Sequence, residues 1–323
     1  MIDTSRRQLL AMAGAAATVP LLAGRTFAAD QETLPLWPSG PPDRLAAPLI
    51  EKFADQSHDP VQPDRYVTGI SQPRLIVYRP AKPNGAAVLL MPGGGYEFLS
   101  YDNEGVSQAR WLNALGITAF ILLYRLSSEG WADRANVPLK DAQRAMRVIR
   151  ANAGRYAIDA RQLSVIGFSA GGHLAGSLAT RHAEHLYASA DAADALSARP
   201  DLVGLLYPVV SLSAGFTHAG SRDALLGPNA ADAERKRYSV ELDVDVHTPP
   251  CFLVHAGDDG LVPPMNSICL YTALQAKACP AELHVFNEGG HGFGVRPRPD
   301  KPVSAWPSLF RSFATSQGVL PRA

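Results

Sequence analysis

The stretch that most constrains this chain is the apolar run Leu163-Ser164-Val165-Ile166 followed by Gly167-Phe168-Ser169-Ala170-Gly171-Gly172-His173-Leu174-Ala175. A strand there must reverse into an Ala/Leu/Gly helix within a few residues, and such a reversal has no room for Cβ atoms beside its tip. Gly167 and Gly171 provide that room and leave Ser169 exposed on a strained turn, which is the form of a nucleophile elbow. A lone Gly-x-Ser-x-Gly is a weak signal, so its meaning depends on the residues that end the other strands.

Apolar strands and helices alternate along most of the chain. Strands are expected at 74–78, 86–91, 117–123, 163–166, 202–207, 251–255 and 281–286, several of them apolar throughout, as strands buried on both faces are. Helices are expected over 104–115, where Val106, Ala109, Leu112 and Leu115 form one stripe, and over 137–153, with Pro138 in the first turn. Others begin after Ser169 and cover 263–278 and 304–316. The alternation predicts an α/β fold, a mostly parallel central sheet with helices on both faces, over residues 65–323. Residues 30–64, rich in Pro and Asp, are expected to wrap the surface as an irregular arm, and the polar stretch 211–247 to form a small cap insertion.

Bulk properties narrow the classes of function. The chain has 323 residues, 46% of them hydrophobic, enough for one large core. Thirty Lys and Arg balance thirty Asp and Glu, so no strongly basic face points to nucleic acid or to an anionic membrane. Cys251, Cys269 and Cys279 are too few and too scattered for a disulfide framework or a zinc site, and no metal or organic cofactor is implied. Ser5-Arg6-Arg7-Gln8-Leu9-Leu10, an Ala/Gly/Leu run and Thr26-Phe27-Ala28 read as a twin-arginine-type signal peptide over 1–29, cleaved after Ala28 or Ala29. The run falls short of the ~20 apolar residues of a spanning helix, so the expected destination is the periplasm or the exterior, with no stable membrane insertion after cleavage.

A serine nucleophile needs a base, and the base needs a carboxylate that fixes its tautomer. His255-Ala256-Gly257-Asp258-Asp259-Gly260 and Glu288-Gly289-Gly290-His291-Gly292 both come after predicted strands, and carboxyl ends of strands are where open α/β sheets meet ligands. Ser169, an aspartate and His291 therefore converge, in the chain order of α/β-hydrolases. Asp258 and Asp259 are both candidates for the carboxylate. Met91-Pro92-Gly93-Gly94-Gly95-Tyr96 also ends a strand, and the amides of Gly94, Gly95 and Ala170 are the expected oxyanion donors. His255 reads as a packed structural residue, and His182 with His185 lacks the partners of a metal site.

These motifs together resemble an α/β-hydrolase esterase of the group that contains acetyl xylan esterases and bifunctional acetyl/feruloyl esterases. The resemblance runs from Leu34-Pro35-Leu36-Trp37-Pro38 to the last helix and is carried by Pro92-Gly93-Gly94-Gly95-Tyr96, Ser100-Tyr101-Asp102-Asn103-Glu104-Gly105, the elbow, and Gly289-Gly290-His291-Gly292-Phe293-Gly294. Related lipase-like esterases carry His-Gly-Gly-Gly where this chain has Pro92-Gly93-Gly94-Gly95. The resemblance implies a carboxylate separated from Val-Pro by a two-residue spacer, which selects Asp259 ahead of Gly260-Leu261-Val262-Pro263. It places Tyr96 and Tyr124-Arg125 near the site without giving them a catalytic task. It implies a serine esterase that removes acetyl groups from an acetylated carbohydrate of the plant cell wall. A feruloyl or general short-chain carboxylesterase, a prolyl-oligopeptidase-like peptidase and a non-catalytic carbohydrate-binding protein are the alternatives.

Overall fold

A computed structural model describes residues 31–47, 49–57, 59, 61–296 and 299–321; the expected signal segment 1–29 lies outside them. The strands are β1 (Thr33–Pro35), β2 (Lys52–Asp55), β3 (Arg65–Thr68), β4 (Arg74–Tyr78), β5 (Ala87–Met91), β6 (Leu99–Ser100), β7 (Thr118–Leu123), β8 (Leu163–Phe168), β9 (Leu202–Leu206), β10 (Cys251–Ala256) and β11 (Ala281–Phe286). Eight form the central sheet in the order β1-β4-β7-β5-β8-β9-β10-β11. The β1–β4 and β4–β7 pairs are antiparallel, and every pairing from β7 to β11 is parallel. Every residue of β5, β7, β8, β9 and β10 is buried. Since successive side chains point to opposite faces, both faces of the sheet are covered.

The helices are α1 (Ser107–Ala114), α2 (Val137–Ala151), α3 (Ala153–Tyr156), α4 (Ser169–Arg181), α5 (Ala219–Leu226), α6 (Asp232–Arg237), α7 (Met265–Ala276) and α8 (Trp306–Ser316), and α1, α4, α7 and α8 pack on the sheet. Trp111 of α1 stands edge-on to Trp306 of α8 with centroids 5.1 Å apart, and α2 packs on α4. None of the helices among the described residues is long and apolar enough to cross a membrane.

Residues 30–64 contain more order than their composition predicts. β1 adds an antiparallel edge to the main sheet, and β2 joins β3 and β6 in a second, three-stranded sheet. These strands have two to four residues, too short for an alternating pattern to register in the sequence. The arm is pinned by chemistry as well: Leu36 is fully buried, its carbonyl accepts from Arg144, and the Trp37 indole donates to Asp141 at 2.9 Å. Asp141 also receives a bidentate Arg125 in a pair with no solvent exposure, so arm, α2 and the strand end after β7 share one carboxylate. A five-residue π-helical turn, Asp102–Val106, opens α1, and a 3.6-residue sequence period cannot reveal it. The polar stretch 211–247 carries α5 and α6.

Candidate active site

β8 ends at Phe168 and α4 begins at Ser169, with no loop between them. Ser169 accordingly has φ +51°, a left-handed conformation that costs a non-glycine residue about 1–3 kcal/mol. The turn closes because Gly167 and Gly171 meet directly: a Cβ on Gly167 would lie 2.6 Å from Ala175 Cβ, and one on Gly171 would run into the Met91 and Pro92 carbonyls.

Three of the residues singled out in the sequence come together here. The Ser169 hydroxyl lies 2.9 Å from His291 Nε2, and His291 Nδ1 lies 2.7 Å from Asp259 Oδ2. The Asp259 side chain is fully buried, and its other oxygen accepts the Leu261 and Val262 amides at 2.9 Å each. Burial alone would raise its pKa, but the His255 and His291 rings and the Val262 amide hold the carboxyl well below its ordinary value. It therefore remains an anion that fixes the His291 tautomer, with the proton on Nδ1 and the Nε2 lone pair toward Ser169.

Asp258 points elsewhere. Its Oδ1 accepts the amides of Gly289 and Gly290 at 2.9 and 2.8 Å and so holds the loop that carries His291. His255 is buried, with Nδ1 against Ser267 Oγ at 2.8 Å and Nε2 donating to the Val262 carbonyl at 2.9 Å, in keeping with a packed structural residue.

The Gly93–Gly95 loop packs on the elbow so closely that a Cβ on Gly93 would lie 2.8 Å from Ser169 Cβ. Its carbonyls are occupied: Gly93 O accepts from Ser100, and Gly94 O from Glu97 and Phe98. The Gly94 and Gly95 amides have no protein acceptor among the described residues. Ala170 lies in the first turn of α4, where amides lack intrahelical acceptors and the helix dipole favours negative charge. Tyr96 and Tyr124 brace this loop. The Tyr124 hydroxyl donates to Pro92 O at 2.7 Å, and the Tyr96 hydroxyl meets His173 Nδ1 at 2.8 Å.

Other groups stand at the site without a role assigned from the sequence. Tyr207 comes directly after β9 with φ +38°, and its ring stands 4.8 Å from the His291 ring. Glu104, within the Asn103-Glu104-Gly105 motif, accepts Gly93 N and the Tyr207 hydroxyl. A Cβ on Gly95 would lie 3.9 Å from both Glu97 Oε2 and Ser221 Oγ, so the 211–247 stretch reaches the rim of the site through Ser221. A cleft of about 620 Å³, lined by neither Ser169 nor His291, runs from Gly289 and Gly292 of the His291 loop past Asn103 to Asp59, Gln62 and Asp64. Among the described residues no group of three or more His, Cys, Asp or Glu side chains is placed to hold a metal ion.

Comparison with known proteins places this chain in a family. Residues 75–274 match the BD-FAE family model. The chain is 39% identical over 219 residues to endo-1,4-beta-xylanase B of Butyrivibrio fibrisolvens, and 32% identical over 225 residues to an acetylxylan esterase of Xylanibacter ruminicola. Each alignment takes in 68% of this chain but only 34% and 44% of those longer proteins, so the chain spans less than half of either. The crystal structure of an acetyl ester-xyloside bifunctional hydrolase from Caldicellulosiruptor lactoaceticus superposes with a TM-score of 0.73 at 33% identity, covering 90% of this chain and 97% of that one. The carboxylesterase Cest-2923 of Lactobacillus plantarum shares the fold at 21% identity and a TM-score of 0.63, over 85% of this chain and 99% of its own. With its mostly parallel, helix-covered sheet and its match over 75–274, the chain has the α/β-hydrolase fold and belongs to the BD-FAE family.

Proposed function

We propose that this protein is a serine esterase that removes acetyl groups from acetylated xylan or a related cell-wall polysaccharide. The reading is carried by one observation, the Ser169–His291–Asp259 relay with steps of 2.9 and 2.7 Å beside unclaimed loop amides. Ser169 Oγ attacks the ester carbonyl while His291 Nε2 takes its proton, and Asp259 stabilises the imidazolium. The amides of Gly94, Gly95 and Ala170 receive the oxyanion, a contribution of about 3 kcal/mol for each donor. His291 then protonates the departing sugar alcohol, and water, deprotonated by the same ring, releases acetate. All of this uses side chains and backbone alone.

The acetyl and xylan assignment is supported by the relatives at 32–33% identity, an acetylxylan esterase and an acetyl ester-xyloside hydrolase. The cleft along the backbone of the His291 loop, whose lining includes Asp59, Gln62, Asp64, Asn103, Arg296 and Lys301, offers hydrogen-bonding groups to the hydroxyls of a sugar chain. Export by the twin-arginine route, from residues 1–29, suits a polymeric substrate outside the cell.

Acetate and ferulate release from acetylated xylan, xyloglucan, pectin, feruloylated arabinoxylan and p-nitrophenyl esters tests the reading. Acetate from xylan is expected, with Ser169→Ala lowering kcat about 10⁴- to 10⁶-fold. Ferulate release alone, or equal activity in Ser169→Ala, would contradict it.

A further inference from the structure

The carboxylate of Glu104 is 4% exposed, and no lysine or arginine pairs with it among the described residues. An uncompensated buried carboxylate costs a fold several kcal/mol, so its partners indicate what it is retained for. Oε2 accepts the Gly93 amide at 2.7 Å, and Oε1 accepts the Tyr207 hydroxyl at 2.9 Å. The Tyr207 oxygen itself accepts the Gly294 amide at 3.2 Å. That amide occupies the phenol oxygen's lone pair, so the phenol proton is directed at Glu104 and both carboxylate oxygens face donors.

We propose that Glu104 is a positioning residue that locks the oxyanion loop to the His291 loop, through Gly93 on one oxygen and Tyr207 on the other. The inference rests on the reading of Ser169 as nucleophile. Gly93 gives its N–H to Glu104 rather than to substrate, which fixes the direction in which the next two amides, Gly94 and Gly95, are presented. Gly294 lies three residues beyond His291, and the Tyr207 ring backs the imidazole at 4.8 Å, so the same link sets where Nε2 meets Ser169.

Two local distortions serve this link. The π-helical turn Asp102–Val106 brings Asn103 and Glu104 to the site together, and Asn103 donates to Gly292 O at 2.8 Å, a second tie to the His291 loop. The positive φ of Tyr207 turns its ring beneath His291 directly at the end of β9. The charged and titratable groups around the pair are few. Asp259, Glu104, Tyr207 and His218 face His291, while Tyr207, Tyr124, His291 and Asp64 face Glu104. Burial holds the Glu104 pKa above its ordinary value, and the Gly93 amide, His291 and the Tyr207 hydroxyl offset that only in part.

The test compares wild type, Glu104→Gln and Tyr207→Phe with p-nitrophenyl acetate, each normalised to the sites titrated by a fluorophosphonate. For Glu104→Gln, kcat per titrated site is expected to fall about 10- to 100-fold with KM within about twofold, the pattern of a loss felt in the transition state. Removing the carboxylate also disfavours an imidazolium nearby, so the acid limb of kcat/KM is expected to move to lower pH. A purely structural role would lower Tm and the titratable fraction and leave both readouts unchanged, and that result would overturn the proposal. Should Glu104→Gln fail to fold, Tyr207→Phe decides. A drop of about 3- to 10-fold in kcat per site supports the link, and an unchanged kcat overturns it. Wild type that neither hydrolyses the ester nor takes the label would instead overturn the active-site reading on which the link depends.

Discussion

The elbow and the His291 loop are both glycine-rich, but glycine does different work in each. At the elbow the constraint is steric: a Cβ on Gly167 or Gly171 would overlap neighbouring backbone or side-chain atoms. In the His291 loop a Cβ on Gly290 or Gly292 would meet nothing within 4 Å, and what these residues need is positive φ, +65° and +76°. The loop is packed at its ends, where a Cβ on Gly289 would run into Val303 and one on Gly294 would lie 2.9 Å from Asn103 Oδ1, but around His291 itself it is held by hydrogen bonds. Asp258 takes the Gly289 and Gly290 amides, Asn103 the Gly292 carbonyl, Tyr207 the Gly294 amide, and the Trp306 indole the Gly294 carbonyl at 2.7 Å. A nucleophile on a collision-limited turn and a base on a tethered loop should fail in different ways, the first by unfolding and the second by losing alignment.

The sharpest contrast is Gly171→Ala, whose Cβ has no vacant position against the Met91 and Pro92 carbonyls. We expect a loss of more than about 4 kcal/mol in urea unfolding, or no soluble protein. A variant with near-native stability would break the steric half of the comparison.

Next in size is an acid-sensitivity seated at the elbow. His173 Nε2 must donate to the Tyr238 carbonyl, so Nδ1 accepts from Tyr96 and the ring is held neutral; burial brings its pKa down from 6.5 to about 4. Between those values the unfolded chain binds more protons than the folded one. The full contribution is therefore present above about pH 6.5 and is lost progressively as pH falls toward 4, by about 3 kcal/mol. The non-titrating variant His173→Gln should show a flatter stability profile over that window; parallel profiles would refute the assignment.

A smaller effect is expected at the tethers. Asp258→Ala releases two loop amides into partly exposed positions, which should cost about 1–2 kcal/mol and about tenfold in kcat with Ser169 still reactive toward a fluorophosphonate. Smallest is Gly290→Ala, which adds only backbone strain, about 1 kcal/mol by thermal unfolding. If Gly290→Ala matched Gly171→Ala, the two loops would not differ in what holds them.

Legibility in the sequence divides the same way. Continuous apolar runs marked β5, β7, β8, β9 and β10, because a strand buried on both faces has no polar position to blur it. The segments ending β5, β8 and β11 were legible as well, since glycines, Ser169 and His291 stood where parallel strands deliver their ends. Asp258 and Asp259 could not be told apart from the residues alone, because two adjacent carboxylates differ only in which amides they face. Tyr207 left no trace, and Glu104 showed only as one member of the 100–105 motif with no role attached to it: a glutamate at the start of an amphipathic stretch and a tyrosine ending an apolar strand are ordinary, and only a π-helical turn and one positive φ bring them together. The short strands of the arm were invisible because two to four residues cannot establish a period.

The most direct test of the central claim is peptide mapping of the protein after reaction with a fluorophosphonate, with and without acetylated xylo-oligosaccharide as competitor. The account predicts a single adduct, on Ser169, that the oligosaccharide slows and that His291→Ala abolishes. An adduct on another residue, or none on an enzyme that still releases acetate, would contradict it.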